Sequence, residues 1–241
     1  MYQIPGLNKF PELVHGVSTL DEGNMSIKWG PEAEVNQNRQ FFLNKLNIDP
    51  NRCVHAGLVN GTNFVVVDQN NSGQSVICDA LITSEINLPL RLITGDCFPT
   101  IIFDPIKNYL ALVHLGVYGI AGGLATKTII KLVDMGSNIS DLIVGIGPGV
   151  DKSSYKFERE ILFQKDIPEW QPFLTLDPAD KLTMVDLHGY LIYELKNQGV
   201  QAENIHDSGI NTVTDSRFFS HYRSVRTHEP EGRFMTAVMM S

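Results

Sequence analysis

Cys97 and His114 are the residues whose types and settings best suit chemistry. Each closes a short apolar run and opens a loop containing glycine, in Thr94-Gly95-Asp96-Cys97-Phe98-Pro99 and Val113-His114-Leu115-Gly116. Loops hung on strand ends are where a rigid scaffold exposes reactive groups. Successive strands are commonly neighbours, and if these two are, the thiol and the imidazole converge. Two chemistries are then open: a thiolate and a neutral imidazole are usual zinc ligands, or the imidazole activates the thiol as a nucleophile. The plain alternative is a small buried hydrophobe beside a satisfied core histidine.

Three further groups stand out. Gly116, Gly119, Gly122 and Gly123 follow His114 and lead into a helical pattern. A strand, a glycine turn and a helix start together present backbone N–H groups to an anion, unless the glycines serve only close backbone packing. Cys53 and His55 form a Cys-x-His pair, readable as a metal pair or as core. Near the C-terminus lie Arg217, Arg223, Arg226 and Arg233 with His206, His221 and His228. Arginine forks suit phosphate or carboxylate, or the group is a solvated face balancing the acidic remainder.

The elements that must position these residues follow from periodicity. Glu32 to Leu46 reads as a helix with Val35, Phe42, Leu43 and Leu46 on one stripe. Phe64–Asp68, Ala80–Thr83, Leu90–Thr94, Thr100–Phe103, Tyr109–Val113, Leu142–Ile146 and Phe234–Met240 read as strands. A helix runs from Leu124 towards Gly136, a short one is expected after Ser153-Ser154, and Asp186 caps another that Gly199 stops. Strands outnumber helices without alternating strictly with them. The expected class is α/β of the α+β kind, with mixed sheets and helices on their outer faces. No linker, repeat or charge block breaks residues 1–241, so one domain is expected.

Composition narrows the function. The chain has 241 residues, 27 acidic against 19 basic side chains, and a net charge of −8, without the basic face of a nucleic-acid binder. Three cysteines are too few and too odd for a disulfide framework, which points to a reducing compartment. The sequence contains neither a signal-peptide core nor an apolar run of about 18 residues. A cytoplasmic protein without membrane or nucleic-acid partners is the expectation.

With these residues in view, the chain resembles the YfiH-like family, known as multicopper polyphenol oxidases or laccase-domain proteins and also as purine nucleoside phosphorylases. His15-Gly16-Val17-Ser18-Thr19 resembles its H-G-F-S-T opening, Asn38-Arg39 its N-R, and Cys78-Asp79-Ala80-Leu81-Ile82-Thr83 its A-D-A-L-V-T. Thr94 to Pro99 resembles T-A-D-C-x-P, Val113 to Gly119 resembles V-H-A-G-W-R-G, and Ile146-Gly147-Pro148-Gly149 the start of I-G-P-C-I. Val185-Asp186-Leu187, Phe218-Phe219-Ser220, Arg223 and Gly232-Arg233 are similar to its later landmarks.

The resemblance implies a layered sandwich of the YfiH-like or cysteine-hydrolase-like type. It also implies a mononuclear metal site, usually zinc with copper as the older assignment, built from two histidines and a cysteine. Cys97 and His114 fall on two of those positions. The third, in the family's Q-V-H-G-T, is Asn60 here, while a reading shifted by five residues offers His55. An amide is a poor zinc ligand. The implied activity is phosphorolysis of purine nucleosides such as adenosine or inosine, with adenosine deamination beside it. Phosphate would sit near Gly116 and Arg223, with Tyr118 at the substrate and Asp96 supporting the ligands or acting as general acid–base. A Cys97–His114 amidohydrolase and copper-dependent phenol oxidation are the alternatives. Further departures (Leu20 after the opening motif, Tyr118 for the arginine of W-R-G, Gly149 and Asn211 for two cysteines) raise a third, a non-catalytic binding protein.

Overall fold

The computed structural model describes residues 1–241. The first strands are β1 (Leu13–Val17), β2 (Val54–Gly57), β3 (Phe64–Val66), β4 (Ser75–Ile77), β5 (Ala80–Thr83), β6 (Leu90–Thr94), β7 (Phe98–Asp104) and β8 (Tyr109–Leu115). Then come β9 (Ile143–Ile146), β10 (Lys156–Phe157), β11 (Leu174–Leu176), β12 (Thr183–Val185), β13 (Ile205–Asp207) and β14 (Phe234–Met240). Helices are α1 (Glu32–Lys45), α2 (Val117–Ala121), α3 (Leu124–Asp134), α4 (Leu187–Asn197) and α5 (His221–Thr227).

A five-stranded sheet in the order β1-β14-β6-β2-β4 packs on a six-stranded sheet in the order β13-β9-β7-β8-β5-β3, and β10-β12-β11 form a small third sheet. Both large sheets mix parallel and antiparallel pairs. Side-chain alternation explains the layering. In β7, Ile101 and Phe103 join Leu110 and Leu112 of β8 and Leu90 and Leu92 of β6 in the core between the sheets. Phe98 and Ile102 of the same strand point the other way, towards Leu124, Ile129 and Leu132 of α3 and Leu191 and Leu195 of α4. Every residue of β7 is therefore buried, as its unbroken apolar run requires. On the opposite outer face, Phe42 and Leu43 of α1 with Leu46 just beyond it cover Met235 and Ala237 of β14. The molecule is a helix–sheet–sheet–helix sandwich, the mixed-sheet architecture with outer helices that the sequence predicts.

One predicted element fails. Ser154 and Tyr155 form a turn on Asp151, and Lys156–Phe157 become a strand rather than a helix. No helix is long and apolar enough to cross a membrane.

Candidate active site

The β7–β8 ladder brings Cys97 and His114 together. Pro99 lies opposite His114 and Phe98 opposite Leu115, so Cys97, one step beyond the strand, faces Gly116. A Cβ on Gly116 would lie 2.9 Å from Cys97 Sγ, and His114 Cε1 lies 3.7 Å from the same point. The glycine is thus required by the thiol. Gly122 is likewise spent on close approach, since a Cβ there would meet Thr62 Cγ2 at 2.4 Å. Close packing accounts for these two glycines without a bound anion.

His114 is held by a residue that spacing did not single out. Its Nδ1 lies 2.9 Å from Asp79 Oδ1, and its backbone N–H donates to the Asp79 carbonyl at 2.7 Å. Asp79 is fully buried, and its carboxylate also accepts from the backbone N–H groups of Asn60 (3.0 Å) and Gly61 (2.7 Å). An ionised carboxylate only accepts, so Nδ1 carries a proton and Nε2 is left for chemistry. Burial alone would push the imidazole's pKa down. The Asp79 carboxylate and the adjoining Cys97 sulfur outweigh it and raise it to about 9. Burial would raise Asp79, whereas its bonds to His114, Gly61 and Asn60 hold it below the usual carboxylate range. Carboxylate, imidazole and thiol form a line in which one group orients the next.

Asp96 anchors the loop that carries Cys97. It is buried with φ +82°, a conformation that costs a non-glycine residue about 1–3 kcal/mol and recurs at functional sites. Its carboxylate accepts from Thr212 Oγ1 and from Tyr222 N–H, each at 2.7 Å, and its carbonyl accepts from Val150 N–H. Both carboxylate oxygens are thereby engaged in fixing the Cys97 loop to three distant segments. Of the two expected roles, support of the ligands and general acid–base catalysis, these bonds favour support.

The remaining predicted ligands, Asn60 and His55, bring no second imidazole to the thiol. Asn60 adopts a left-handed turn (φ +57°), and its N–H, through Asp79, supports His114 rather than adding an imidazole. His55 sits on β2 in the other sheet, paired with Arg91 of β6. No group of three or more His, Cys, Asp or Glu side chains could hold a metal ion. The donor set of one thiol and one imidazole is one short of the three protein ligands of a catalytic zinc site. It is further from a multicopper centre, and the seven histidines do not converge.

Arg223 is also committed elsewhere. Its guanidinium donates to the carbonyls of Thr212 (2.6 Å) and Phe218 (2.7 Å) and pairs with Glu229, tying the loop before α5 to that helix. This corrects its reading as a substrate group. Tyr118 remains available: it is 62% exposed and stacks on Phe163 at 5.7 Å and 14°. A cavity of about 150 Å³ opens there, lined by Val117, Tyr118, Tyr155, Phe157, Leu162 and Phe163 among others. Tyr155 of this lining packs against Phe157 and Tyr222. Burial raises its phenol, and Cys97, Tyr222, Tyr118 and Asp96 are near enough to raise it further. Arg226 crowns this wall, 3.9 Å above the Tyr222 ring. Residues 155–163 carry no periodic pattern, which is why sequence reasoning missed them. A larger cavity of about 240 Å³ lies beyond Phe98, beside His188, Asp151 and Asp207, and none of Cys97, His114 or Asp79 lines it.

Comparison with known proteins decides the lineage. The model of the multi-copper polyphenol oxidoreductase laccase family matches residues 12–241. The chain belongs to this family. A purine nucleoside phosphorylase of Mycobacterium tuberculosis is 27% identical over 228 residues, covering 93% of this chain and 88% of that protein. The purine nucleoside phosphorylase YlmD of Bacillus subtilis is 25% identical over 220 residues, covering 87% and 78%. Among solved structures, YlmD from Geobacillus stearothermophilus superposes with a TM-score of 0.85 at 23% identity, covering 96% of this chain and 93% of that one. YfiH of Bacillus licheniformis gives the same TM-score at 21% identity, covering 98% and 94%. The fold of the YfiH-like family is therefore this chain's fold.

Proposed function

We propose that this chain, acting as one domain, is a purine nucleoside phosphorylase. The observation that carries this reading is a proton-bearing imidazole, fixed by a buried carboxylate, with an aromatic slot at the start of α2, the helix that follows His114. The purine stacks among Tyr118, Phe163 and Tyr155, where base–aromatic contact is favourable whatever the ring substituents. His114, protonated near neutral pH, presents Nε2–H to a ring nitrogen of the purine. As the bond from C1′ of the ribose to N9 breaks, that proton stabilises the departing base, and a phosphate oxygen forms the new bond at C1′. The products are free base and ribose 1-phosphate. Asp96 and Asp79 act by position, one fixing the Cys97 loop and the other the imidazole.

With Arg223 committed, Arg226 is the cation we assign to phosphate, since one Nη1 contact to Ser154 O leaves the rest of its guanidinium free. Zinc is the ion the resemblance implies, and Cys97 with His114 offers it two donors. No step here runs through a metal. The test incubates the protein with inosine or adenosine and phosphate and separates the products. Free base with ribose 1-phosphate, lost in His114→Ala, supports the reading; inosine and ammonia from adenosine would indicate deamination instead; no product at all would overturn it.

The same line of groups favours a second reading, a thiol amidohydrolase in which Cys97 Sγ attacks a carbonyl carbon and His114 returns the proton to the leaving amine. A covalent acyl adduct on Cys97, detected by mass spectrometry, separates the two.

A further inference from the structure

The Cys53-x-His55 pair, which the active site does not use, lies on the outer face of the five-stranded sheet. In β2 and β6, Val54, Ala56, Leu90 and Leu92 turn inward to the core between the sheets. His55 and its ladder partner Arg91 therefore turn outward, to the side where Cys53 and Ile93 pack under α1. Arg39 of α1 reaches the same place, near enough for the two guanidiniums to press on each other.

A count of partners shows what is missing. Arg91 Nε and His55 Nδ1 are sealed from solvent, and neither has a hydrogen-bond partner. No carboxylate favours the charge of Arg91, which burial disfavours and Cys53 alone favours. Two acids of this region act on its other groups: Glu32 on Arg39 and Asp49 on Cys53. Arg39 spends Nε and Nη2 on the Met25 carbonyl, so it contributes field rather than free donors. Burial, Arg91 and Arg39 together depress His55 to about 4.

A guanidinium cannot shed its proton, so an unpaired one in a half-buried place is a standing cost. Two guanidiniums repel a metal ion, which disposes of the Cys-x-His metal reading, and the same charges attract an anion. A fork of N–H donors beside an imidazole matches the oxygens of a tetrahedral anion. We propose that Arg91 and His55, backed by Arg39, form a binding site for a small oxyanion of the phosphate class, separate from the Cys97 site and on the outer face of the five-stranded sheet. The anion accepts from Arg91 and draws a proton onto His55. Free phosphate and a phosphate monoester share this chemistry.

The experiment follows the His55 ring C–H signal by NMR in the full chain at neutral pH, the signal being assigned with His55→Gln. Inorganic phosphate and, separately, glycerol phosphate are titrated in. The expected result is a saturable downfield shift, unchanged in Cys97→Ala and lost in Arg91→Gln; whichever probe saturates at lower concentration identifies the source. Absence of a saturable shift, or the same shift in Arg91→Gln, would overturn the site. Melting in phosphate-free buffer guards the variant: removing an uncompensated charge leaves Arg91→Gln at or above the wild-type Tm, with phosphate raising the wild type more than the variant. A variant several degrees less stable in that buffer would make Arg91 a structural group and end the proposal.

Discussion

Asp79→Asn tests the core of the site, because it keeps the shape of the side chain and removes its charge. The carboxylate serves three donors: His114 Nδ1, Asn60 N–H and Gly61 N–H. An amide has one acceptor oxygen, so its NH₂ must face at least one donor in a buried place. Leaving a buried donor unpaired costs about 1–3 kcal/mol. The charge adds a pH-dependent part. His114 is raised from 6.5 to about 9, so its contribution is complete below pH 6.5 and disappears as pH rises through 9. At 1.36 kcal/mol per unit that shift amounts to about 3 kcal/mol. Urea unfolding at pH 6 and pH 9.5 should therefore show a deficit for Asp79→Asn that shrinks at the higher pH. Activity should fall more steeply than stability, since the imidazole loses both its orientation and its proton. A decrease of about 10²–10⁴ in kcat is expected for a lost proton-transfer group. Labelling of Cys97 by iodoacetamide should slow in the same variant. A variant with wild-type phosphorolysis and wild-type labelling at folded concentrations would refute the arrangement of carboxylate, imidazole and thiol as the working unit.

Other perturbations probe the surroundings. Glu22 is buried, and although burial pushes its carboxyl up, Lys45, Thr19 and the N-terminal amine lower it from 4.5 to about 2. Its roughly 3 kcal/mol is thus present above pH 4.5 and lost as pH falls towards 2; Glu22→Gln should be less stable by that order at pH 7 and level with wild type near pH 2 by chemical denaturation. Tyr118→Ala removes one face of the aromatic slot and should raise KM for inosine roughly 2- to 10-fold with kcat little changed, measured by steady-state kinetics. Gly149→Ala places a Cβ 2.2 Å from the Phe98 ring, and thermal melting should show about 1–3 kcal/mol of destabilisation from overpacking. Asn60→His should raise the zinc bound to the purified chain towards one per molecule by elemental analysis. A left-handed residue there is tolerable for histidine, and no gain in zinc would mean that the loop does not aim its side chain at Cys97 and His114.

What the sequence could show depended on how far each residue's role reaches. Ala80–Thr83, Leu90–Thr94 and Phe234–Met240 are strands to the residue, because their apolar character is intrinsic and tertiary packing agrees with it. Cys97 and His114 were legible as a pair because consecutive strands tend to be neighbours, and β7 and β8 are. Asp79 was visible as a letter in a motif but not as a partner. Its bond to His114 spans 35 positions and exists only because β5 lies against β8 in the observed register. Asp96 and Arg223 show the opposite limit. Their chemistry is versatile enough for catalysis, and only the fold reveals that Thr212, Tyr222, Phe218 and Glu229 have used their hydrogen-bonding capacity.

The same reasoning bears on the departure at Asn60. If the loop after Leu58 existed only to supply a metal ligand, loss of the histidine would leave its backbone free to drift. Instead Asn60 and Gly61 donate to Asp79 at 3.0 and 2.7 Å, so the loop is retained by the carboxylate that orients His114. The backbone of the loop and the imidazole it supports form one mechanical unit, independent of what side chain position 60 carries. The chain can therefore lose a metal donor without losing the backbone bonds to Asp79 that hold His114 in place. This is the physical reason to look for proton transfer at His114 Nε2, rather than for an inert relic, in a member of the family that lacks the third donor.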